Sequence, residues 1–238
     1  MGRALGIIQP ARIGDILLCL PIARHYFEDG RDIHWPAMSY CYEMFAPAVC
    51  WVTWHEIPMN FQRAVTASKE VLGSEMDILN LANGFFEEEE LTREHSLSGM
   101  RFDAFKYARA QVPLEKKWGG VHIEKPKLQI QISNCSRYTL YHPQGSCGFS
   151  VRRQCLDVLR EYYYGPTIEI RKETGSIFHW MDMLEHAEEI AVIDSCFAIL
   201  ADMIGWRYRR RTLIQDNPDF LTPTFAPAWD IIRTGLAT

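Results

Sequence analysis

The sequence lacks the features that would place it in a membrane or in an oxidising compartment. No apolar run approaches the roughly 18 residues that a transmembrane helix needs. The apolar N-terminal segment is interrupted by Gln9-Pro10-Ala11-Arg12 and by Asp15, unlike a secretory signal. The seven cysteines include no C-x-x-C pair, and their odd number argues against a disulfide framework. We therefore expect buried free thiols and a cytoplasmic protein.

Metal-binding and strongly basic patterns are also absent. No Asp-x-Asp pair occurs, and the eight histidines and seven cysteines show no zinc-ligand spacing. The sequence therefore predicts no metal. The formal net charge is −5, so no overall charge attracts nucleic acid, which is a possible but not a favoured partner. The acidic run Glu87-Glu88-Glu89-Glu90 is interpreted as a solvated loop or helix end.

Short apolar segments alternate with segments of helical periodicity throughout the chain. Strands are predicted at 4–9, 32–35, 51–54, 77–81, 128–132, 138–142, 167–170, 190–193 and 211–214. Helices are predicted at 16–27, 40–45, 59–72, 100–112, 151–163, 179–188, 197–204 and 229–234. This alternation is typical of parallel sheets covered on both faces, so we predict an α/β protein with two Rossmann-like domains.

A change of composition marks the expected domain boundary. Lys116-Lys117-Trp118-Gly119-Gly120 is polar and contains two glycines, and the segment after it alternates as a half-exposed strand does. We place the domains at 1–130 and 131–238. Ligands bind at the carboxyl ends of strands in such folds, so loops 10–15, 143–152 and 194–196 are candidate ligand loops.

Two of these loops place polar residues where a helix begins. Asp15 follows the first strand, and its carboxylate either caps the next helix or acts as a general base. Ser195 stands in the same position in the second half, and it either caps a helix or helps a helix N-terminus to bind an anion. The residue pattern alone leaves both alternatives open.

The run Arg12-Ile13-Gly14-Asp15-Ile16-Leu17-Leu18-Cys19-Leu20-Pro21 resembles the opening motif of the heptosyltransferases, glycosyltransferase family 9. Two further segments resemble later motifs of that family, in the family's order. They are His142-Pro143-Gln144-Gly145-Ser146, followed by Arg152-Arg153, and Asp194-Ser195-Cys196 before an apolar helix. Cys19 replaces a common threonine, Cys196 replaces the usual glycine, and the usual histidine of the third motif is absent. Members of the family are longer, so the chain would be a shortened version.

The resemblance implies two Rossmann-like domains that face each other across a cleft, the GT-B arrangement. It implies an enzyme that moves a hexosyl or heptosyl group from a nucleotide-diphosphate sugar to a glycan or other hydroxyl-bearing acceptor, with inversion and without a metal or cofactor. Domain 1–130 would lie on the acceptor side, and domain 131–238 would bind the nucleotide sugar.

The resemblance also implies roles for individual residues. Asp15 would be the catalytic base. Hydroxyl and backbone N–H groups would hold the diphosphate, arginines would neutralise it, and a carboxylate would bind the ribose. The implied donor-binding residues are Arg12, Gly14, Gly145, Ser146, Arg152, Arg153, Glu169, Asp194 and Ser195.

Two other functions fit the same pattern. A phage-type DNA glycosyltransferase would act on a hydroxymethylated base, and the basic stretch 207–211 would then contact phosphates, although that stretch also fits a solvated loop. A nucleotide-binding or glycan-binding module of the same fold would have lost catalysis. The altered third motif favours such a module, whereas the intact Asp15 favours an enzyme.

Overall fold

The computed structural model describes residues 3–127, 129–130, 137–144, 156–157, 159–161, 163, 165–171, 175–204, 208–215 and 222–233. The chain divides into two compact units, Met1–Glu124 and Lys125–Thr238. Each unit contains one parallel β-sheet accompanied by helices, so the predicted α/β class is confirmed. In these ranges no helix combines the length and apolar character that crossing a membrane requires.

The first unit contains a four-stranded sheet. Its strands are β1 (Leu5–Ile8), β2 (Ile33–Met38), β3 (Thr53–Ile57) and β4 (Asp77–Asn80). They pair in the order β3-β2-β1-β4, and every pairing is parallel. All four residues of the central strand β1 are buried, as expected where both faces of a parallel sheet are covered.

Five α-helices and two short 3₁₀ helices accompany this sheet in the described residues. The α-helices are α1 (Ile13–Glu28), α2 (Ser39–Phe45), α3 (Ala64–Leu72), α4 (Glu89–Ser98) and α5 (Phe102–Arg109). The 3₁₀ helices are Phe86–Glu88 and Leu114–Trp118. Helix α1 continues through Pro21 and is buried from Ile16 to Ala23, so Pro21 does not divide it.

The second unit contains a five-stranded sheet. Its strands are β5 (Thr139–His142), β6 (Thr167–Glu169), β7 (Glu189–Ile193), β8 (Arg210–Gln215) and β9 (Asp230–Arg233). They pair in the order β6-β5-β7-β8-β9, again all parallel. The helices are α6 (Met181–His186), which follows a 3₁₀ turn at Ile177–Trp180, and α7 (Cys196–Met203). Residues 156–157 and 159–161 are also helical.

Two of the predicted elements are wrong. The final helix predicted at 229–234 is instead the edge strand β9. It pairs with β8, and Asp230 of β9 lies opposite Thr212 of β8. Two consecutive isoleucines favour a strand once a partner edge is available, and the Arg210 guanidinium lies 3.2 Å from the Asp230 carboxylate. In the predicted strand 128–132, Gln129 and Ile130 are not in a strand, and the other three positions lie outside the described residues.

The acidic run after β4 has a structural role that its composition did not indicate. The Glu87 carboxylate accepts hydrogen bonds from the backbone N–H groups of Val65, at 2.7 Å, and Thr66, at 3.1 Å. It also accepts one from the Thr66 hydroxyl. These N–H groups open helix α3, which has no cap from its own N-cap side chain. Glu87 therefore caps α3 from a distant point in the sequence.

A fully buried ion pair joins α5 to the 3₁₀ helix that follows it. The Lys117 ammonium lies 2.9 Å from the Asp103 carboxylate, and both side chains are 0% exposed. Taking both charges out of water is costly, and only their mutual attraction and further hydrogen bonds offset that cost. The pair should therefore tolerate the loss of both charges better than the loss of one.

We predict that Lys117→Met lowers the free energy of unfolding by about 3–5 kcal/mol, because it leaves the Asp103 carboxylate buried without its cation. Urea denaturation of the variant measures this loss. The matched control is the double variant Asp103→Leu/Lys117→Met, which should recover much of the loss. Equal destabilisation of the single and double variants would show that side-chain volume matters here and charge does not.

Candidate functional site

The loop between β1 and α1 holds a non-glycine residue in an unusual backbone conformation. Arg12 has φ +68°, a region that side chains other than glycine rarely occupy. Its backbone N–H donates to the Tyr40 hydroxyl at 2.9 Å, and its guanidinium donates to the Gly84 carbonyl at 3.2 Å. The same guanidinium lies 5.4 Å from the centre of the Phe85 ring. Strained residues held by several contacts are concentrated at functional sites.

Asp15 lies in the first turn of α1, together with Gly14, and is half-buried. Of the two alternatives for Asp15, a cap on this helix does not occur. The Arg12 carbonyl accepts the Ile16 N–H at 3.1 Å, so the helix begins at Ile13, and Arg12 occupies the N-cap position without a side-chain cap. The Asp15 carboxylate is therefore available for another role.

A buried hydrogen-bond chain approaches the Asp15 carboxylate from α5. The Lys106 ammonium donates to Gln9 Oε1 at 2.7 Å and also to the Leu81 carbonyl. The Gln9 amide nitrogen donates to the Ala11 carbonyl at 2.9 Å and to Asp15 Oδ2 at 3.4 Å. Gln9 and Lys106 are both buried. The chain thus links a cation to the candidate base through a neutral amide.

Sequence reasoning missed Gln9 and Lys106. The sequence gives one weak indication that Lys106 lies on a buried helix face. Lys106 is four residues after Phe102, so the two side chains share one face of the helix. No local signal indicates its partner, because Gln9 and Lys106 are 97 positions apart.

Burial dominates the electrostatics of this site. It raises the pKa of the Asp15 carboxyl, and the positive charges of Lys106 and Arg12 only partly oppose this effect. Burial likewise lowers the pKa of the Lys106 ammonium. The pKa of the Cys19 thiol is raised to about 12 by burial, so Cys19 stays protonated at neutral pH. A carboxylate with a raised pKa is a stronger base than an exposed one.

In the second unit, Ser195 occupies the N-cap position of α7 without capping it. Its side chain makes no cap hydrogen bond, and Ser195 Oγ instead lies 3.2 Å from Nδ1 of the buried His142. His142 ends β5 and Ser195 follows β7, and these strands are parallel neighbours. The His142 ring meets the Phe197 ring edge-on at 4.7 Å. His142 therefore contacts the predicted anion site.

The other predicted donor-binding residues divide into two groups. Glu169 ends β6, at the same sheet edge as His142 and Ser195, and its carboxylate accepts a hydrogen bond from the Tyr141 hydroxyl at 2.8 Å. Asp194 follows β7 directly. The remaining residues lie outside the described ranges: Gly145, Ser146, Arg152 and Arg153.

The described part of the basic stretch 207–211 is largely occupied within its own unit. The Arg209 guanidinium lies 3.3 Å from the Glu188 carboxylate and also pairs with Glu189. Arg210 belongs to β8 and pairs with a carboxylate of β9, and the Arg211 guanidinium lies 5.5 Å from the centre of the Tyr208 ring. These contacts reduce the positive charge that the stretch would offer to a nucleic-acid backbone.

The described ranges contain no group of three or more His, Cys, Asp or Glu side chains placed to hold one metal ion. No protein-family model and no curated protein matches the chain by sequence.

The chain is similar in fold to solved glycosyltransferases. The TibC glycosyltransferase of enterotoxigenic E. coli, described as iron-containing and dodecameric, is 12% identical with a TM-score of 0.60 over 96% of this chain and 62% of that one. A family 9 glycosyltransferase of Veillonella parvula is 9% identical, with a TM-score of 0.57 over 98% of this chain and 86% of that one. E. coli heptosyltransferase WaaC, solved with ADP-2-deoxy-2-fluoro heptose, is 12% identical. Its TM-score is 0.52 over 97% of this chain and 93% of WaaC.

These similarities confirm the expected resemblance to heptosyltransferases at the level of the fold. The chain spans 62% of the length of TibC.

We predict that Asp15→Asn raises the melting temperature at neutral pH. Ionising a carboxyl whose pKa is raised opposes folding, and asparagine removes that charge. The penalty is absent below the usual aspartate pKa of about 4, grows as the pH rises towards the raised pKa, and is complete above it. Thermal unfolding across this range measures it: the two curves should converge on acidification. A less stable variant at neutral pH would show that the ionised carboxylate stabilises the fold.

Proposed function

We propose that the chain is a glycosyltransferase that moves a sugar from a nucleotide-diphosphate sugar to an acceptor hydroxyl. The observation that carries this proposal is the Asp15 carboxylate, which lies in the first turn after the central strand β1 and has a raised pKa. The fold similarity supplies the reaction class, because WaaC was solved with an ADP-heptose analogue and TibC with ADP-D-β-D-heptose.

In the proposed reaction, Asp15 removes the proton of the acceptor hydroxyl as that oxygen attacks the anomeric carbon. The bond between the anomeric carbon and the diphosphate oxygen breaks, and the diphosphate leaves with the electron pair. Attack opposite the leaving group inverts the anomeric configuration. No step of the proposed reaction uses a metal ion, and the product is a hexosylated or heptosylated glycan or other hydroxyl-bearing acceptor.

The donor is proposed to bind at the carboxyl edge of the second sheet. Because Ser195 Oγ contacts His142 Nδ1 and makes no cap hydrogen bond, it does not compete for the first N–H groups of α7, which suit an anionic diphosphate. Ser195 Oγ is proposed to accept from His142 and to donate its own proton to the diphosphate. Glu169 is proposed to bind the ribose, and Asp194 remains a proposed donor-binding residue in the turn before α7. Gly145, Ser146, Arg152 and Arg153 remain proposed diphosphate contacts, and Arg12 and Gly14 remain proposed contacts beside Asp15. A cleft between domains 1–130 and 131–238 stays a prediction.

A DNA glycosyltransferase is the weaker alternative, because Arg209 and Arg210 already pair with carboxylates of their own unit. Measurements of donor binding and donor hydrolysis distinguish an enzyme from a binding module that lacks catalysis. A thermal-shift screen of ADP-, UDP- and GDP-sugars identifies the donor, and slow hydrolysis of that donor identifies an enzyme. A donor that stabilises the chain without ever being cleaved would indicate the binding module.

We predict that Asp15→Asn lowers turnover by about a hundredfold to ten-thousandfold, the usual contribution of a general base. Asparagine has nearly the same shape but cannot take the proton of the acceptor. Initial rates at saturating donor and acceptor measure the loss, and donor affinity should stay within about twofold of the wild type. Turnover at the wild-type rate would remove Asp15 from the mechanism, and loss of donor binding would make it an organiser of the site.

We predict that Ser195→Ala weakens donor binding by roughly threefold to tenfold, as the loss of one net hydrogen bond does. Calorimetric titration with the nucleoside diphosphate that gives the largest thermal shift measures this change. Ser176→Ala is the matched control, because Ser176 accepts the Phe178 N–H at 3.2 Å and caps a helix start in the same unit. Equal affinities of the Ser195 and Ser176 variants would place the diphosphate elsewhere.

A further inference from the structure

Lys106 is a buried cation that lacks the direct partner such a group usually has. Lys106 is 1% exposed to solvent. Within the described residues the Lys106 ammonium makes no ion pair, whereas the equally buried Lys117 lies 2.9 Å from the Asp103 carboxylate. An ammonium held in the interior by a glutamine and a backbone carbonyl is expensive, so a purely structural role would be better served by an apolar side chain.

The chemistry of the ammonium decides how the Gln9 amide is oriented. An ammonium group has three donors and no acceptor, so the Gln9 atom 2.7 Å away must be the carbonyl Oε1. The amide nitrogen then points the other way, where the Ala11 carbonyl and Asp15 Oδ2 both accept from it. Without the ammonium, only the Ala11 carbonyl would still oppose a flip of the amide that presents its oxygen to the carboxylate, and that oxygen would repel the carboxylate.

We propose that Lys106 and Gln9 are positioning residues for Asp15: Lys106 fixes the Gln9 amide, and the amide holds Oδ2 so that Oδ1 meets the acceptor hydroxyl. This inference rests on the proposed role of Asp15 as the base. The distance of 3.4 Å from the amide nitrogen to Oδ2 makes this a weak hydrogen bond, suited to setting the rotamer of the carboxylate without neutralising it.

The charge of Lys106 also limits how far burial raises the pKa of Asp15. Arg12, in the loop before α1, is the second cation that acts on this carboxyl. Lys106 itself also interacts with the Asp103 carboxylate, which pairs with Lys117. Three further titratable groups interact with Asp15, and burial raises their pKa values, so they are neutral at neutral pH. They are Tyr40 and Cys41 of α2 and Cys19 of α1. Removing the Lys106 charge should therefore raise the pKa of Asp15 further.

The test compares Lys106→Met with two other variants. Gln9→Met keeps the ammonium but breaks the chain, and it serves if Lys106→Met does not fold. Arg109→Met is the matched control, because Arg109 also lies on α5 and donates to a backbone carbonyl at the end of β4, that of Asn80 at 3.0 Å. Arg109 is exposed and pairs with Glu94, so it makes comparable helix contacts without reaching Gln9.

The first readout is the pKa of Asp15, measured by NMR titration of protein labelled with ¹³C at the aspartate carboxyls. The signal missing from Asp15→Asn identifies the residue. We expect Lys106→Met and Gln9→Met each to raise this pKa by about half a unit or more, because each removes an interaction that favours the charged form. Arg109→Met should leave it unchanged.

The second readout is the pH dependence of sugar transfer. The acidic limb of kcat/KM should move to higher pH in both test variants, and kcat should fall by about tenfold or more while donor KM stays constant. If the wild type transfers sugar and neither test variant moves the limb or the NMR pKa, the positioning role is overturned and the proposed function survives. If the NMR pKa shifts but the wild type never transfers sugar, the coupling stands and the proposed function fails.

Discussion

Every strand pairing described in the two units is parallel, so each connection must cross a face of its sheet before the chain can re-enter it. The crossovers bury both faces, and the central strands β1 and β7 are buried along their whole length. Parallel pairing also brings the carboxyl ends of all strands to one edge. Polar residues at that edge, such as Asp15 in one unit and His142 in the other, consequently lie where water is partly excluded.

Because water is excluded, the effect of each buried lysine depends on how close it lies to a carboxylate. Lys117 lies directly against a carboxylate, and the pair joins α5 to the 3₁₀ helix that follows it. Lys106 is separated from the Asp15 carboxylate by the Gln9 amide, so its attraction is only partial. Direct contact with the ammonium would stabilise the charged carboxylate and weaken it as a base. The interposed amide lets a cation orient the carboxylate while burial still dominates its pKa, at some cost in stability.

Local pattern predicted most strands of both sheets and the placement of Asp15 and Ser195 at strand ends, because apolar runs and turn residues are read within a few positions. The failures involve distant partners. The segment Asp230–Arg233 becomes a strand only beside β8, and Glu87 caps a helix that begins more than twenty residues earlier. The Gln9–Lys106 contact spans 97 positions. Such features are decided by tertiary contacts, and the periodicity of one segment carries no information about a distant partner.

Three interactions at Asp15 favour its charged carboxylate form, and one effect, burial, opposes it. The N-terminus of α1 presents a positive dipole end, and Arg12 and Lys106 add two cations, all of which favour the carboxylate. Burial nevertheless prevails, and the pKa is raised. The basicity of Asp15 therefore depends more on its burial than on any one charge. The β1–α1 loop beside it is packed through the Arg12 N–H, which the Tyr40 hydroxyl holds. The strained backbone at Arg12 belongs to that packing, which connects the conformation of the loop to the strength of the proposed base.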